Sequence, residues 1–309
     1  MYYVLWLGLF LFLLSWFLVR DFKLHHINQS VWKTFLIILP YSIWLSPFFA
    51  GIAAATIAMF QLFVQFIPRL PRTLQWYGHF LRAAVIDLIA VAAFLIFFRK
   101  RCLLQVPSFY PGTGEVPILL IHGYRHDRGA WVFHGPRLAK KNLGPLYTID
   151  LGSSFRTIQN YSTLIQEKVA EIFKDTGKKE LILVGYSMGG LVATDYAVNK
   201  AIPGTIKALI TMGSPLNGTV MANLGPEACA RQMRYRNPFV LNLQQSMSNL
   251  PFPFTQIGST SDTTIIPQSS AFITAETLPV DSMGHLEMLY SDRMTEKLSK
   301  LLTIQKNVK

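Results

Sequence analysis

The sequence predicts an α/β fold, a mostly parallel sheet with helices on both faces, preceded by a helical transmembrane region. Three observations predict it. From residue 102 onward, short apolar runs of β-type residues alternate with amphipathic stretches, the pattern of parallel strands covered on both faces. One of these runs, 180–185, ends in a Gly-x-Ser-x-Gly turn that opens a helix. Residues 1–101 differ from the rest in carrying long uncharged apolar runs.

The 309 residues leave room for one α/β domain and a further region. Hydrophobic residues make up 51% of the chain and charged residues 15%, against about 25% charged in an average soluble chain. Residues 1–101 hold nine Lys/Arg against two acids, Asp21 and Asp87, whereas 102–309 hold twenty against fifteen. The formal charge of +12 is thus concentrated in the first third, as expected of cations that flank membrane spans. No nucleic-acid-binding motif accompanies it, and no basic run is longer than Arg99-Lys100-Arg101, which excludes nucleic acid as a partner. Cys102 and Cys229 are the only cysteines, too few and too far apart for a disulfide framework or a zinc site.

Residues 1–101 read as a transmembrane anchor with spans at about 2–19, 48–67 and 83–98, each an uncharged or nearly uncharged run bordered by Lys/Arg. The run 34–68 is long for one span and short for two. It reads as an interfacial segment followed by a helix over 48–67, where the small residues of 50–55 suit close helix packing; a tight hairpin is the alternative. Asp87 falls inside the last span, near Arg82, and reads as a snorkelling or ion-paired acid rather than a proton relay. With three spans the cation count places residues 102–309 in the cytoplasm; a hairpin reverses that side.

Residues 102–309 read as the catalytic domain. VPILLI at 116–121 predicts a strand, 129–142 a helix, and PLYTID at 145–150 a second strand. A helix over about 158–174 places Ile165, Val169, Ile172 and Phe173 on one side. ELILVG at 180–185 is a strand, 187–199 a helix and IKALITMG at 206–213 a strand. FTQIGS at 254–259 and ETLPV at 276–280 predict the last two strands, and 285–302 the closing helix. Between them, 214–253 reads as a small cap. Its Arg231, Arg234 and Arg236 suit either lipid phosphates or a solvated basic face.

Gly185-Tyr186-Ser187-Met188-Gly189-Gly190 carries the chemistry. By composition a Gly-x-Ser-x-Gly match arises by chance in roughly one chain in ten of this length, so the context decides. Here the turn follows the β-type run LILV and opens the helical run LVATDYAV. That strand, turn and helix make a nucleophile elbow, which exposes the serine hydroxyl above the sheet and points helix N-terminal amides at developing negative charge. Ser187 is the predicted nucleophile. The oxyanion donors are expected from the residue after it, Met188, and from Tyr124 in the loop after the first strand. Chain order in this fold is Ser, then Asp/Glu, then His. His285 is the one histidine after Ser187 and the predicted general base. Asp262, in a turn-rich loop after the 254–259 strand, is the predicted acid in preference to Asp281, four residues before His285. His122 reads as a packed loop histidine.

ILLIHGY (118–124), LYTIDLG (146–152), LILVGYSMGGLVA (181–193), ITMGSPLNGT (210–219), SDTTIIP (261–267) and GHL (284–286) resemble the bacterial triacylglycerol lipases and esterases of the α/β-hydrolase superfamily. Tyr186 stands where many of these carry histidine. The resemblance covers about 116–302 and implies ester hydrolysis through an acyl-enzyme on Ser187, with no cofactor. Some relatives bind structural calcium or zinc, but no His/Asp cluster here is spaced for that. The expected partners are a lipid or other ester substrate and the membrane of a multi-pass protein in a bacterial inner membrane, the catalytic domain facing the cytoplasm. Two other functions compete: an acyltransferase on the same scaffold, and a silent partner-binding protein. A complete Ser, Asp and His set argues against the second.

Overall fold

The computed structural model describes residues 72–97, 106–141, 143–153, 155–247, 250–273 and 276–307. It divides the chain into two compact units, and the second, His79–Ala92 with Val106–Lys309, contains the sheet. Helix α1, Arg72–Phe97, leads into strands β1 (Phe109–Tyr110) and β2 (Ile118–Ile121), helix α2 (His134–Ala139), strand β3 (Leu146–Ile149), helix α3 (Ile158–Thr176) and strand β4 (Leu181–Tyr186). Helix α4 (Met188–Asn199), strand β5 (Ile206–Met212), helices α5 (Ala228–Gln232) and α6 (Pro238–Ser246), strands β6 (Phe254–Gly258) and β7 (Thr277–Pro279) and helix α7 (Asp292–Asn307) follow.

The sheet runs in the order β1-β3-β2-β4-β5-β6-β7. Every neighbouring pair is parallel except β1 with β3, which is antiparallel. The central strands are buried on both faces, as their near-continuous Ile, Leu and Val predict. On one face α3 contributes Ile158, Ile165, Val169 and Ile172, and α4 contributes Leu191 and Val192, to a single apolar cluster with Leu119, Ile121, Leu183 and Leu209. Thr157 caps α3 by accepting from the Asn160 amide, and Gly177 closes it in the left-handed conformation. Because β2, β4, β5, β6 and β7 run the same way, their C-terminal ends gather at one rim, where an open parallel sheet places its ligand site.

Several expectations are adjusted. The helix expected over 129–142 splits into a 3₁₀ turn, Arg128–Trp131, and α2; Gly135-Pro136 sits at the start of the second piece, where proline's missing amide is tolerated. The closing helix expected at 285–302 likewise divides into a 3₁₀ turn, Leu286–Leu289, and α7. The segment 214–253 holds a 3₁₀ turn at Val220–Leu224 before α5 and α6.

The expectation of a multi-pass integral membrane protein facing the cytoplasm is overturned. Among the described residues no helix is long and apolar enough to cross a membrane. The runs at 2–19, 34–68 and 48–67 lie outside the described residues. Of the run 83–98, residues 83–97 fall within α1, which begins at Arg72, well before the run, and carries Arg82 and Asp87. Asp87 is buried and does not pair with Arg82. Arg82 instead donates to Glu287, at 2.9 and 3.2 Å, and to the Ser282 carbonyl at 2.6 Å. The polar groups at the start of this run are therefore spent on protein partners 176 to 205 residues further along the chain, which hydropathy alone does not register.

Candidate active site

β4 ends at Tyr186 and α4 begins at Met188, so Ser187 is the whole of the turn between them. Its backbone sits at φ 53°, ψ −124°, a conformation that a residue with a Cβ seldom adopts and that surrounding structure must hold. The Ser187 amide donates to the Met212 carbonyl at 2.8 Å, and the Ser187 carbonyl accepts from the Gly190 amide at 3.0 Å. There is no room for side chains beside it. A Cβ on Gly185 would lie 2.5 Å from the Gly190 Cα, and one on Gly189 would strike the Ile121 carbonyl oxygen.

Three of the predicted residues meet at this turn. The His285 Nε2 lies 3.0 Å from the Ser187 Oγ, and its Nδ1 lies 2.9 Å from the Asp262 Oδ2. All three side chains are buried. The other Asp262 oxygen accepts from the Thr264 and Ile265 amides at 2.8 and 2.7 Å, which fixes the carboxylate plane. Asp262 accepts the Nδ1 proton, so Nε2 is left to accept from the serine hydroxyl. Burial opposes a charge on the ring, but the Asp262 carboxylate, its hydrogen bond and the charge of Asp87 outweigh it, and the His285 pKa is raised. Asp281 is exposed in a turn, and its carbonyl accepts from Arg293; the structure does not bring its side chain to His285.

The loop after β2 abuts the nucleophile: a Cβ on Gly123 would lie 3.0 Å from the Ser187 Cβ. Met188, the other residue expected to donate an amide, begins α4, where the first amides have no partner within the helix. His122 is buried and holds the loop after β2. The Leu151 amide donates to its Nε2 at 3.0 Å, which puts the ring proton on Nδ1, 2.9 Å from the Gly123 carbonyl. The Tyr124 hydroxyl donates to Glu227, which is buried and also accepts from Arg125. That contact ties the loop to the residue before α5.

Two partners were not legible as site residues. Tyr186, read only as a tolerated substitution, donates its buried hydroxyl to the His285 carbonyl at 3.0 Å, and its ring packs against those of both His285 and His126. Asp87 accepts from the amides of His285, Leu286 and Glu287 and from the Thr263 hydroxyl. Its position inside a hydropathic run concealed it. Among the described residues no three His, Cys, Asp or Glu side chains lie close enough to hold a metal ion.

Residues 118–289 match the family described as "Alpha/beta hydrolase family". The chain belongs to that family. As an α/β hydrolase it is 32% identical over 103 residues to the pimeloyl-[acyl-carrier protein] methyl ester esterase of Sodalis glossinidius (strain morsitans), a stretch covering 33% of this chain and 38% of that enzyme. The same enzyme of Yersinia pestis matches to the same extent. The chain thus spans well under half the length of these relatives. The mature lipase BlEst2 of Bacillus licheniformis shares the fold with a TM-score of 0.55 at 17% identity, over 64% of this chain and 96% of that one. MenH from S. aureus does so with a TM-score of 0.50 at 18% identity, over 66% of this chain and all of that one. Family membership, with methyl ester esterases among the relatives, supports a hydrolase.

Proposed function

We propose that this α/β hydrolase cleaves carboxylic esters, lipid acyl esters foremost, through an acyl-enzyme on Ser187. The observation that carries the reading is the connected set Ser187 Oγ, His285 Nε2, His285 Nδ1 and Asp262 Oδ2, with links of 3.0 and 2.9 Å, mounted on a strained turn. The sequence resemblance to triacylglycerol lipases supports lipid acyl esters, and the name of the Sodalis relative supports ester cleavage in general.

In this mechanism the Ser187 Oγ attacks the ester carbonyl carbon while its proton passes to the His285 Nε2. Asp262 holds the resulting imidazolium through the Nδ1 proton. The tetrahedral oxyanion accepts from the Met188 and Tyr124 amides, each donor of this kind lowering the barrier by about 3 kcal/mol. Collapse breaks the bond to the alcohol oxygen, which takes the Nε2 proton and leaves. Water, deprotonated by the same nitrogen, then attacks the acyl-enzyme, and Ser187 departs with the proton as the free acid forms.

The test is labelling of the purified full chain with a fluorophosphonate, mapping of the adduct, and turnover of p-nitrophenyl esters of increasing chain length. Ser187 is expected to carry the adduct, and Ser187→Ala to lose both labelling and turnover while its circular dichroism is unchanged. An adduct on another serine, or undiminished turnover by Ser187→Ala, refutes the assignment. Turnover that depends on an added alcohol acceptor assigns the acyltransferase role instead.

A further inference from the structure

We propose that Asp87, on the helix that precedes the sheet and outside the segment matching the family, is a positioning residue for the general base. The inference rests on the reading of His285 as that base. Asp87 projects from α1 into the junction of two loops. Its Oδ2 accepts from the His285 amide at 2.7 Å, and its Oδ1 from the Leu286 and Glu287 amides at 2.9 and 3.1 Å. These are the leading amides of the 3₁₀ turn Leu286–Leu289, which has no side-chain cap of its own at His285. The carboxylate is therefore the cap, delivered from almost 200 residues away. The same Oδ2 accepts the hydroxyl proton of Thr263, the neighbour of Asp262. One side chain thus holds the loop that carries the base and the loop that carries its acid.

The surroundings leave this carboxylate little freedom. It is 7% exposed, and Gly284 packs directly on it: a Cβ there would lie 2.5 Å from the Oδ1 and 2.7 Å from the Cγ. One turn earlier on α1, Arg82 grips Glu287 with two hydrogen bonds and the Ser282 carbonyl with a third. Glu287 in turn accepts from the Gly284 amide at 3.1 Å. Residues 282–287 are thus clamped from α1 at both ends, with His285 between. Burial raises the Asp87 pKa against the hydrogen bonds and the His285 charge that favour the anion.

Asp87 acts on His285 in two ways. It fixes the backbone from which the imidazole reaches Ser187, and it adds a second negative charge beside the ring, which favours the imidazolium formed in the reaction. The other groups facing the ring are Asp262 from the loop after β6 and Tyr186 from β4, against whose ring His126 stacks. Burial keeps His126 neutral, with its pKa lowered to about 3, and Tyr186 neutral, with its pKa raised well above the usual value. The two carboxylates are therefore the charged groups that act on the base against its burial.

The experiment compares the pH dependence of p-nitrophenyl ester hydrolysis in the full chain for wild type, Asp87→Asn, Asp87→Ala, Gly284→Ala and the double variant Asp87→Ala/Gly284→Ala. Fluorophosphonate labelling of wild-type Ser187 is measured alongside. Absence of that labelling fails the proposed function; the variants test Asp87 separately. Asp87→Asn is expected to lower kcat roughly 10- to 100-fold with KM within about threefold, and to move the acid limb of kcat/KM down by roughly 0.5–1 pH unit. Gly284→Ala, whose new methyl displaces the carboxylate, is expected to lower kcat comparably. The same change in the Asp87→Ala background, where the space is vacated, is expected to add less than about threefold. An unmoved acid limb in Asp87→Asn, or an equal cost of Gly284→Ala in both backgrounds, overturns the proposal. Should Asp87→Ala fail to fold, Asp87→Asn and the single Gly284→Ala decide it by the pH profile alone, since a merely structural role leaves that profile in place.

Discussion

Replacing Asp262 by Asn changes one atom and tests the whole relay. In the native arrangement one carboxylate oxygen accepts from the Thr264 and Ile265 amides, and the other accepts the His285 Nδ1 proton. An asparagine has one acceptor oxygen to divide between these sites. Keeping it on the two backbone amides turns the side-chain NH2 toward Nδ1. The ring must then carry its proton on Nε2, where it faces the Ser187 hydroxyl as a donor and cannot take the serine proton. The reverse orientation restores the productive tautomer but sets the NH2 against two buried amides. Leaving buried donors unsatisfied costs about 1–3 kcal/mol each, so the productive form lies about 2–6 kcal/mol higher. The lost charge opposite the imidazolium adds to this. The expected loss in kcat is about 10³- to 10⁴-fold, roughly 4–5.5 kcal/mol, with KM changed little. The assay is p-nitrophenyl ester turnover for Asp262→Asn and Asp281→Asn, with folding checked by circular dichroism. An Asp262→Asn enzyme within tenfold of wild type, or one less impaired than Asp281→Asn, refutes the reasoning.

Two further outcomes are expected. Tyr186→Phe removes the hydroxyl that donates to the His285 carbonyl at 3.0 Å; a loss of about 1 kcal/mol is expected, read as a roughly fivefold fall in kcat, and an unchanged kcat contradicts that support. His134 is fully buried between the Thr295 hydroxyl and the Met288 carbonyl, each 2.8 Å from a ring nitrogen, and burial lowers its pKa to about 4. The unfolded chain takes up this proton near the ordinary histidine value of about 6.5, so stability is expected to fall as pH drops from there toward about 4. Urea unfolding of His134→Gln is expected to show a shallower decline over that range; an identical slope assigns the acid sensitivity elsewhere.

The parts of the fold legible in the sequence are those decided locally. The strands at 118–121, 146–149, 181–186 and 206–212 lie within or beside their predicted runs, because a strand buried on both faces must be apolar throughout. Motif, order and loop context single out Ser187, Asp262 and His285 in the sequence, and the structure places the His285 ring within hydrogen-bonding distance of the other two side chains. What escaped depends on distant partners. β1 is two residues long, too short for any periodicity. Glu227 gains its meaning from Tyr124 and Arg125, about a hundred residues away. Asp87 was misjudged because a hydropathy window records what a segment is made of and not what it meets. An acid in an apolar run reads the same whether it faces lipid or caps a buried turn.

The parallel sheet has one further consequence. Ser187, Asp262, His285 and the loop after β2 all occupy the rim at the strands' C-terminal ends, whereas the turns entering β4 and β5 leave the opposite rim. Those turns are largely exposed at 177–179 and 202–204, and Gly177 and Gly204 face open space. Insertions into these turns would therefore fall at the end of the molecule away from the reacting atoms, although Gly177 and Gly204 themselves, at φ 68° and 82°, resist replacement by any residue with a Cβ. An engineer grafting a tag or tether would place it there, whereas Gly185, Gly189 and Gly284, each with other atoms where a Cβ would go, leave no such room beside the nucleophile and the base.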